Sequence, residues 1–468
     1  MKKIFITFFA AIVGALAVEW DIEQVTPASE PYNFYPVLAL DDQGFAYILY
    51  YQWNETPELR VASNATGAWK TRRVTHLTEA FGDIFSIDVD SKGHPYVTYM
   101  DSAGPGKYDI FLATDTTGMF VAENLTDDEA YQSSPVLRLY HNYNPHLIYV
   151  SEMQLWFGID NGFDFYNEQV CDNYLQEEWY VGSDYALDPE GGGSAFYIGD
   201  DGFLWCASTG VPLASSLPLW AMHKLTDTES FWPSVHSEFF TMHVAYVSGI
   251  YPNRIHYISG SGMDWVDEPA STEGLEETMN ERPSIALGAD YDPHIVWMRS
   301  LQVNDTVWQY DLYYTHKTQS GWVEEAVTST SERDEKPGYG HYFAIDSKGY
   351  GHIVWSAPDS VDWIDHIFHA KSRTPIATGI VETPLPPSNS LSMFADGSRI
   401  RFELAYSSII RLSLYDASGR KVQDIATGFY PAGQNEITVN SSALPTGVYF
   451  ARLESQMGFV NAKFVITR

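Results

Sequence analysis

A strand-like segment recurs in this chain at a nearly constant interval, and nothing else in the sequence restricts the fold as tightly. "PHIVW" at 293–297 returns as "GHIVW" at 351–355, with looser copies "PHLIY" at 145–149 and "MHVAY" at 242–246. Each copy joins a polar residue to two or three apolar or β-branched ones and an aromatic, which is strand composition. Another strand-like run precedes each copy. Those runs begin at Pro36, Phe85, Pro135, Ser183, Pro233, Pro283 and His341, at intervals of 49, 50, 48, 50, 50 and 58 residues. Between the two runs sits a tight turn such as "DDQG" (41–44) or "DSKG" (90–93 and 346–349), where Gly supplies positive φ and Asp bonds the turn backbone. A third run follows, as in "ELRVAS", "YDIFLA", "RIHYIS" or "DLYYTH". A turn with Gly and an aromatic comes next, pairing Gly67 with Trp69, Gly118 with Phe120, Gly262 with Trp265 and Gly321 with Trp322. A fourth run often ends in Val-Thr or Leu-Thr.

Four short antiparallel strands in about fifty residues describe one blade of a β-propeller, and seven starts predict seven blades. The last repeat has its third strand, "HIFHA" (366–370), but no fourth. Residues 20–26, "WDIEQVT", supply one: the spacing from Trp20 to Val25-Thr26 matches that from Trp69 to Val74-Thr75 and from Trp322 to Val327-Thr328. The N-terminal strand is therefore expected to clasp the last blade and leave no open seam. The propeller is assigned to residues 18–371 and a proline-rich linker to 372–388. From 389 to 468 the pattern changes to turn-linked strands, "RIRFELAYSS", "IIRLSLYDASGRKV", "NEITVN", "GVYFARLES" and "NAKFVITR", which suggest a small β-sandwich of immunoglobulin type. The fold class is all-β throughout.

Residues 1–17, "MKKIFITFFAAIVGALA", read as a secretory leader with Ala15-Leu16-Ala17 at its end, so the mature chain is expected to begin near Val18. Their apolar run is short for a membrane span, and none is expected in the mature chain. The net charge is −34, which argues against nucleic acid and anionic membranes as partners. Cys171 and Cys206 are the two cysteines; an exported chain allows them to pair, and the sequence leaves pairing open.

The C-terminal part resembles the type A C-terminal sorting domain of type IX secretion cargo. "LSLYDASGRKV" (412–422), "YPAGQNEITV" (430–439), "LPTGVYFARL" (444–453) and the terminal "KFVITR" (463–468) carry the resemblance, in that order and at the very end of the chain. It implies export across the outer membrane through secretion machinery, then cleavage of this domain and release or surface attachment. The propeller more loosely resembles sialidase-like repeat propellers. "SNATGAW" (63–69) and "TDTTGMF" (114–120) are similar to the Asp-box turn between third and fourth strands, which is structural in that family.

Candidate functional residues fall into two sets. His146, His243, His294 and His352 share one repeat position. Equivalent positions in separate blades lie around a ring rather than converge on a metal, so each is expected to bond neighbouring backbone. The other set precedes the inner strands: Glu30, Glu79, Glu129, Glu177, Glu277 and Glu335 stand six residues before a blade start, and Glu229 four. On one reading these acids bond the backbone of their own loops. On the other they rim an acidic, aromatic face that grips a basic group, a sugar or Ca²⁺. Trp232, Tyr251 and Trp308 are the ring candidates beside them, on the face with the longer and more varied loops. No cofactor other than Ca²⁺ is implied. The reading that follows is a secreted or surface recognition module for a glycan or protein. A sialidase-like glycoside hydrolase and a structural envelope protein are its rivals.

Overall fold

Residues of alternating polarity and turn-forming Gly and Asp build short hairpins that pair with their sequence neighbours, so six of the seven repeats close into their own sheets. The computed structural model describes residues 17–376 and 391–466, except 31, 79–84, 116–117, 141–143, 161–164, 174–181, 189–191, 210–219, 239–240, 251, 263, 273–277, 289–290, 305–306, 319, 330–334, 359–363, 397–398, 405–407, 417–420, 431–432, 440–446 and 456–457. Residues 1–16 of the expected leader and 377–388 of the expected linker lie outside them. Seven four-stranded antiparallel sheets form the propeller unit. The seventh contains strands Phe343–Ile345, Gly351–Pro358 and Asp365–Ser372, and its outer strand is Trp20–Gln24, with Trp20 opposite Ser372 and Gln24 opposite Phe368. The clasp is thus part of the fold. No described helix is long and apolar enough to cross a membrane.

The aromatic after each outer turn wedges one blade onto the one before. Trp69 meets His369 with ring centroids 5.2 Å apart, Trp220 meets Phe157 at 5.4 Å, Trp265 meets Phe196 at 5.9 Å and Trp322 meets Tyr257 at 5.3 Å. Trp20 takes the same role from the far end of the sequence, resting on Tyr314 at 5.8 Å. Edge-to-face ring pairs of this kind add to the burial of their large apolar area.

The inner strands have free edges facing the axis, and those edges need partners. A recurring side chain supplies them. Ser86 accepts from the Leu137 N–H at 3.1 Å, Asp184 from Val235 at 2.6 Å, Ser234 from Ile285 at 3.2 Å and Ser284 from Phe343 at 3.3 Å. Each acceptor stands one residue after a blade start, and each donor belongs to the next blade. Asp88 adds a bond from Leu139 at 2.9 Å, and the Leu38 N–H closes the ring onto the His341 carbonyl at 2.7 Å.

The repeated histidines differ from expectation. All four are buried, but their partners lie on the third strand rather than on backbone. His243 Nδ1 meets Tyr257 Oη at 2.6 Å, His294 Nδ1 meets Tyr314 Oη at 2.6 Å, and His352 Nδ1 meets His369 Nε2 at 3.0 Å. His146 packs edge-on against Phe157. The partner sits two residues before the direct register neighbour, so the pairing is diagonal across the strands. Burial pushes the His146 imidazole down to about 4. These rings are core elements.

Cys171 and Cys206 are both buried and free. Burial raises both thiols, that of Cys206 to about 12.

The C-terminal unit has two antiparallel sheets. One contains Leu391–Asp396, Arg399–Leu404 and Gly433–Thr438; the other contains Lys421–Tyr430, Ser408–Asp416, Gly447–Ser455 and Gly458–Ile466. Ile400 and Phe402 from the first sheet and Leu412, Leu414, Tyr449 and Leu453 from the second share one core, which makes the unit a sandwich.

Candidate functional site: an arginine-bearing funnel at the propeller axis

Four of the seven inner strands begin at proline, and at each the residue before it is forced out of the strand path. Tyr35, Ser134, Trp232 and Arg282 have φ of 55°, 55°, 47° and 52°. The sheet register shifts at the same places, between Phe34 and Val37, Ser133 and Val136, Phe231 and Ser234, and Glu281 and Ser284. Proline normally drives the preceding residue to extended backbone, and bulky side chains avoid positive φ. Each such residue costs about 1–3 kcal/mol and persists only where its surroundings fix it. A bulge turns its side chain away from the pleat. Here Ser134, Trp232 and Arg282 are turned to line a funnel at the side where the inner strands begin. Close packing of the rim also requires glycine: a Cβ on Gly338 would lie 2.5 Å from the Pro36 carbonyl oxygen.

Arg282 is the cation of this surface outside the deeper axial cluster. Its Nη1 donates to the Pro337 carbonyl at 3.0 Å and its Nη2 to Tyr339 Oη at 2.6 Å, while its guanidinium carbon lies 3.8 Å from the Tyr339 ring centroid. Tyr35 continues the aromatic wall, 5.8 Å from Tyr339. The Nε–H of Arg282 is buried without a partner. Among the described residues no carboxylate pairs with it. Its neighbour Glu281 bonds Ser300 at 3.2 Å instead; burial raises the Glu281 carboxyl, and the nearby Arg282 charge opposes that. By contrast Arg60, Arg72, Arg138, Arg299 and Arg373 each pair with an acid.

Deeper on the axis three blades contribute one polar group each. Asp184 accepts from Arg138 Nη2 at 2.8 Å and from His341 Nε2 at 2.7 Å, and the Arg138 guanidinium also touches the His341 ring. Asp184 is 4% exposed. Burial alone would raise its carboxyl, but the charges of His341 and Arg138 and the bonds from His341 and the Val235 N–H hold it below the usual range. This cluster divides the funnel, whose cavity is about 60 Å³, from an axial chamber of about 340 Å³ lined by Asp88, Arg138, His236 and His341. Enclosure by the strands, then the neighbouring cations, lowers the His236 imidazole, although its ring borders open channel space and feels that shift less than a sealed group would.

Replacing Asp184 with Asn is expected to destabilise the fold by about 3–5 kcal/mol at pH 7, because Arg138 loses its counter-charge. A folded carboxyl held below its unfolded value of about 3.9 contributes stability above that pH and loses it as pH falls toward the folded value. The difference between D184N and the parent should therefore shrink below about pH 4 in denaturant titrations.

The residues singled out in the sequence are placed variously. Trp232 lines the funnel. Trp308 lies half-buried opposite Gln302 on a hairpin of the sixth blade and is not part of the lining. Glu129 and Glu229 are exposed and Glu335 is buried; none of the three lines the funnel. Glu79, Glu177, Glu277 and Tyr251 lie outside the described residues. Glu30 shows what one member of this acid series does: it accepts from Thr71 at 2.7 Å, Arg60 at 3.2 Å and Tyr50 at 3.2 Å, within its own blade. Among the described residues no group of three or more His, Cys, Asp or Glu could hold a metal ion. Arg282, Tyr339, Arg138, Asp184 and His341 were not singled out. For Arg282 the signal available was its place before a blade-start proline, a position that is bulky or charged in three of four cases, Tyr35, Trp232 and Arg282.

No curated protein matches the chain. Among solved structures it is similar to an ulvan lyase from a new family of polysaccharide lyases, with 13% identity over 74% of this chain and 95% of that one and a TM-score of 0.49. It is also similar to AofleA from Arthrobotrys oligospora (10% identity, 67% of this chain and 90% of that one, TM-score 0.42). The NanB sialidase from Streptococcus pneumoniae is a third (10% identity, 75% of this chain and 70% of that one, TM-score 0.40). Residues 396–467 match the family described as the secretion system C-terminal sorting domain, so the sandwich that ends this chain is a type IX sorting domain and marks the protein for secretion or the cell surface.

Proposed function

We propose that the protein is an extracellular recognition module whose funnel binds an acidic glycan. The guanidinium of Arg282, with no carboxylate in contact among the described residues, carries this reading. In a chain of net charge −34, a cation without an acid partner at the mouth of the axis is a selective position for an anion. Its planar fork suits a carboxylate or sulfate, and its Nε–H has a bond still to make. The rings of Tyr339, Tyr35 and Trp232 offer apolar faces against which a sugar ring can pack. Within the described lining Asp184 is the one carboxylate, and it is already engaged by Arg138 and His341. Two-carboxylate hydrolysis needs a second acid about 5–9.5 Å away, so the lining supports binding over that chemistry.

The test is calorimetric titration with uronate oligosaccharides and their neutral counterparts, alongside an assay for new reducing ends. The parent should bind the acidic series and release no product. R282A should weaken that binding at least tenfold, a loss of about 1.4 kcal/mol, measured well below the melting temperature of the variant, which also loses its bonds to Pro337 and Tyr339. R282K should recover little, because a point charge cannot reproduce the fork. Equal affinity for neutral sugars, or an R282A variant that binds as the parent does, would overturn the proposal. Steady product release would replace it with an enzyme.

A further inference from the structure

The first described residues of the clasp carry a contact that a peptide bond serves poorly. The backbone nitrogen of Val18 lies 3.0 Å from both Oε1 and Oε2 of Glu325. Glu325 sits half-buried on the outer strand Gly321–Ala326 of the sixth blade, and burial raises its carboxyl while the Val18 N–H opposes that. Among the described residues no Lys, Arg or His pairs with it. A peptide nitrogen has one hydrogen and no charge. It can only share that hydrogen between the two oxygens in a weaker three-centre bond, and it compensates a half-buried carboxylate weakly. An α-ammonium has three hydrogens and a positive charge, and satisfies both oxygens together. Ala17, immediately before, is exposed, and Ala15-Leu16-Ala17 presents small residues where a leader peptidase reads them. The next residues are already fixed: Glu19 and Asp21 each meet Arg373 at 2.6 Å, and the Arg373 N–H donates to the Glu19 carbonyl at 2.8 Å.

Given the expected cleavage of the Ala17–Val18 bond, the geometry points to a receptor for its product: Glu325 captures the new N-terminus. A leader peptidase uses one water. The C–N bond breaks, the hydroxyl goes to the Ala17 carbonyl carbon, and the Val18 nitrogen leaves as an amine, which is protonated at neutral pH. The resulting ion pair ties the clasp strand to the sixth blade, while its ladder ties it to the seventh. The propeller therefore has its full closure only after the leader is removed.

Mass spectrometry of the protein secreted from its full-length gene should show Val18 as the first residue. Four purified chains then test the receptor: one starting at Val18 and one retaining Ala15-Leu16-Ala17, each with Glu325 or with E325Q. The three-residue extension moves the charged amine away and leaves an amide at Val18. In the Glu325 pair the extended chain should melt lower by about 2 °C. In the E325Q pair the two should melt alike, because the carboxylate that reads the terminus is gone. A first residue other than Val18, or an extension effect of equal size in both backgrounds, would overturn the inference.

Discussion

A chain that begins at Pro27 is expected to lose most of the propeller's stability. The deletion removes the outer strand Trp20–Gln24 and its pairing with Asp365–Ser372. It also removes Val25, 5% exposed in the core of the seventh blade and worth about 1.5–3 kcal/mol on burial. The Ile367 N–H and carbonyl lose their bonds to Thr26 Oγ1 at 3.0 Å and the Val25 N–H at 2.7 Å, and groups left unpaired cost about 1–3 kcal/mol each. The Trp20 wedge on Tyr314 goes as well. Together these terms reach the size of a typical net stability of about 5–15 kcal/mol. Denaturant titration should show an early, broadened transition, and size exclusion should show association through the uncovered strand. An unchanged midpoint and a monomer would mean that the clasp contributes nothing.

The second large effect concerns destination rather than stability. Ending the chain at Ile376 removes the sorting sandwich, which has its own core, and leaves the propeller's seven sheets complete. The truncated protein should melt as the propeller does in the parent but accumulate inside the outer membrane. Residues 391–468 fused to an unrelated passenger should carry it out. Surface protease accessibility separates the cases: equal digestion of parent and truncated chains on intact cells would show that the sandwich is not the address.

Much of this architecture is legible in the sequence because a blade is a local structure. Its hairpins pair neighbours, so a repeat near fifty residues and the Gly in several of its tight turns suffice to count blades. The missing outer strand of the last repeat and the spare one at Trp20 point to the same closure. The site is less legible for a physical reason. Arg138, Asp184 and His341 meet on the axis, yet Asp184 and His341 are 157 residues apart. They also occupy three different positions relative to their blade starts, so aligning the repeats does not align them. The positive φ of Trp232 and Arg282 is also hidden, since proline ordinarily predicts extended backbone before it. The acid series before the blades was visible as a pattern, but Glu30 spends its carboxylate on Arg60 and Thr71. Periodicity reveals what every blade needs, and a binding site is built where blades differ.

The inner-strand bonds have a consequence for how the ring is held shut. Each bond runs one way, from a donor in one blade to an acceptor in the blade before it, so the circle has a direction like a queue of people each holding the shoulder ahead. Two links are different. Val37 and Val136 occupy the acceptor positions of the first and third blades. Among the described residues the inner strands of the first and second blades meet through apolar side chains such as Val37, Phe85 and Ile87, and between the third and fourth the polar contact runs the other way, from Arg138 to Asp184. The junction between the seventh and first blades is the opposite: it has the Leu38 bond to His341, the clasp ladder and the Trp69 wedge. The polypeptide crosses both this junction and the one between the first and second blades, but here it runs from Gln24 to Asn33 and grips the seventh blade only through the clasp's own pairing with Asp365–Ser372. Directional bonding is densest where the chain's own grip is a noncovalent clasp.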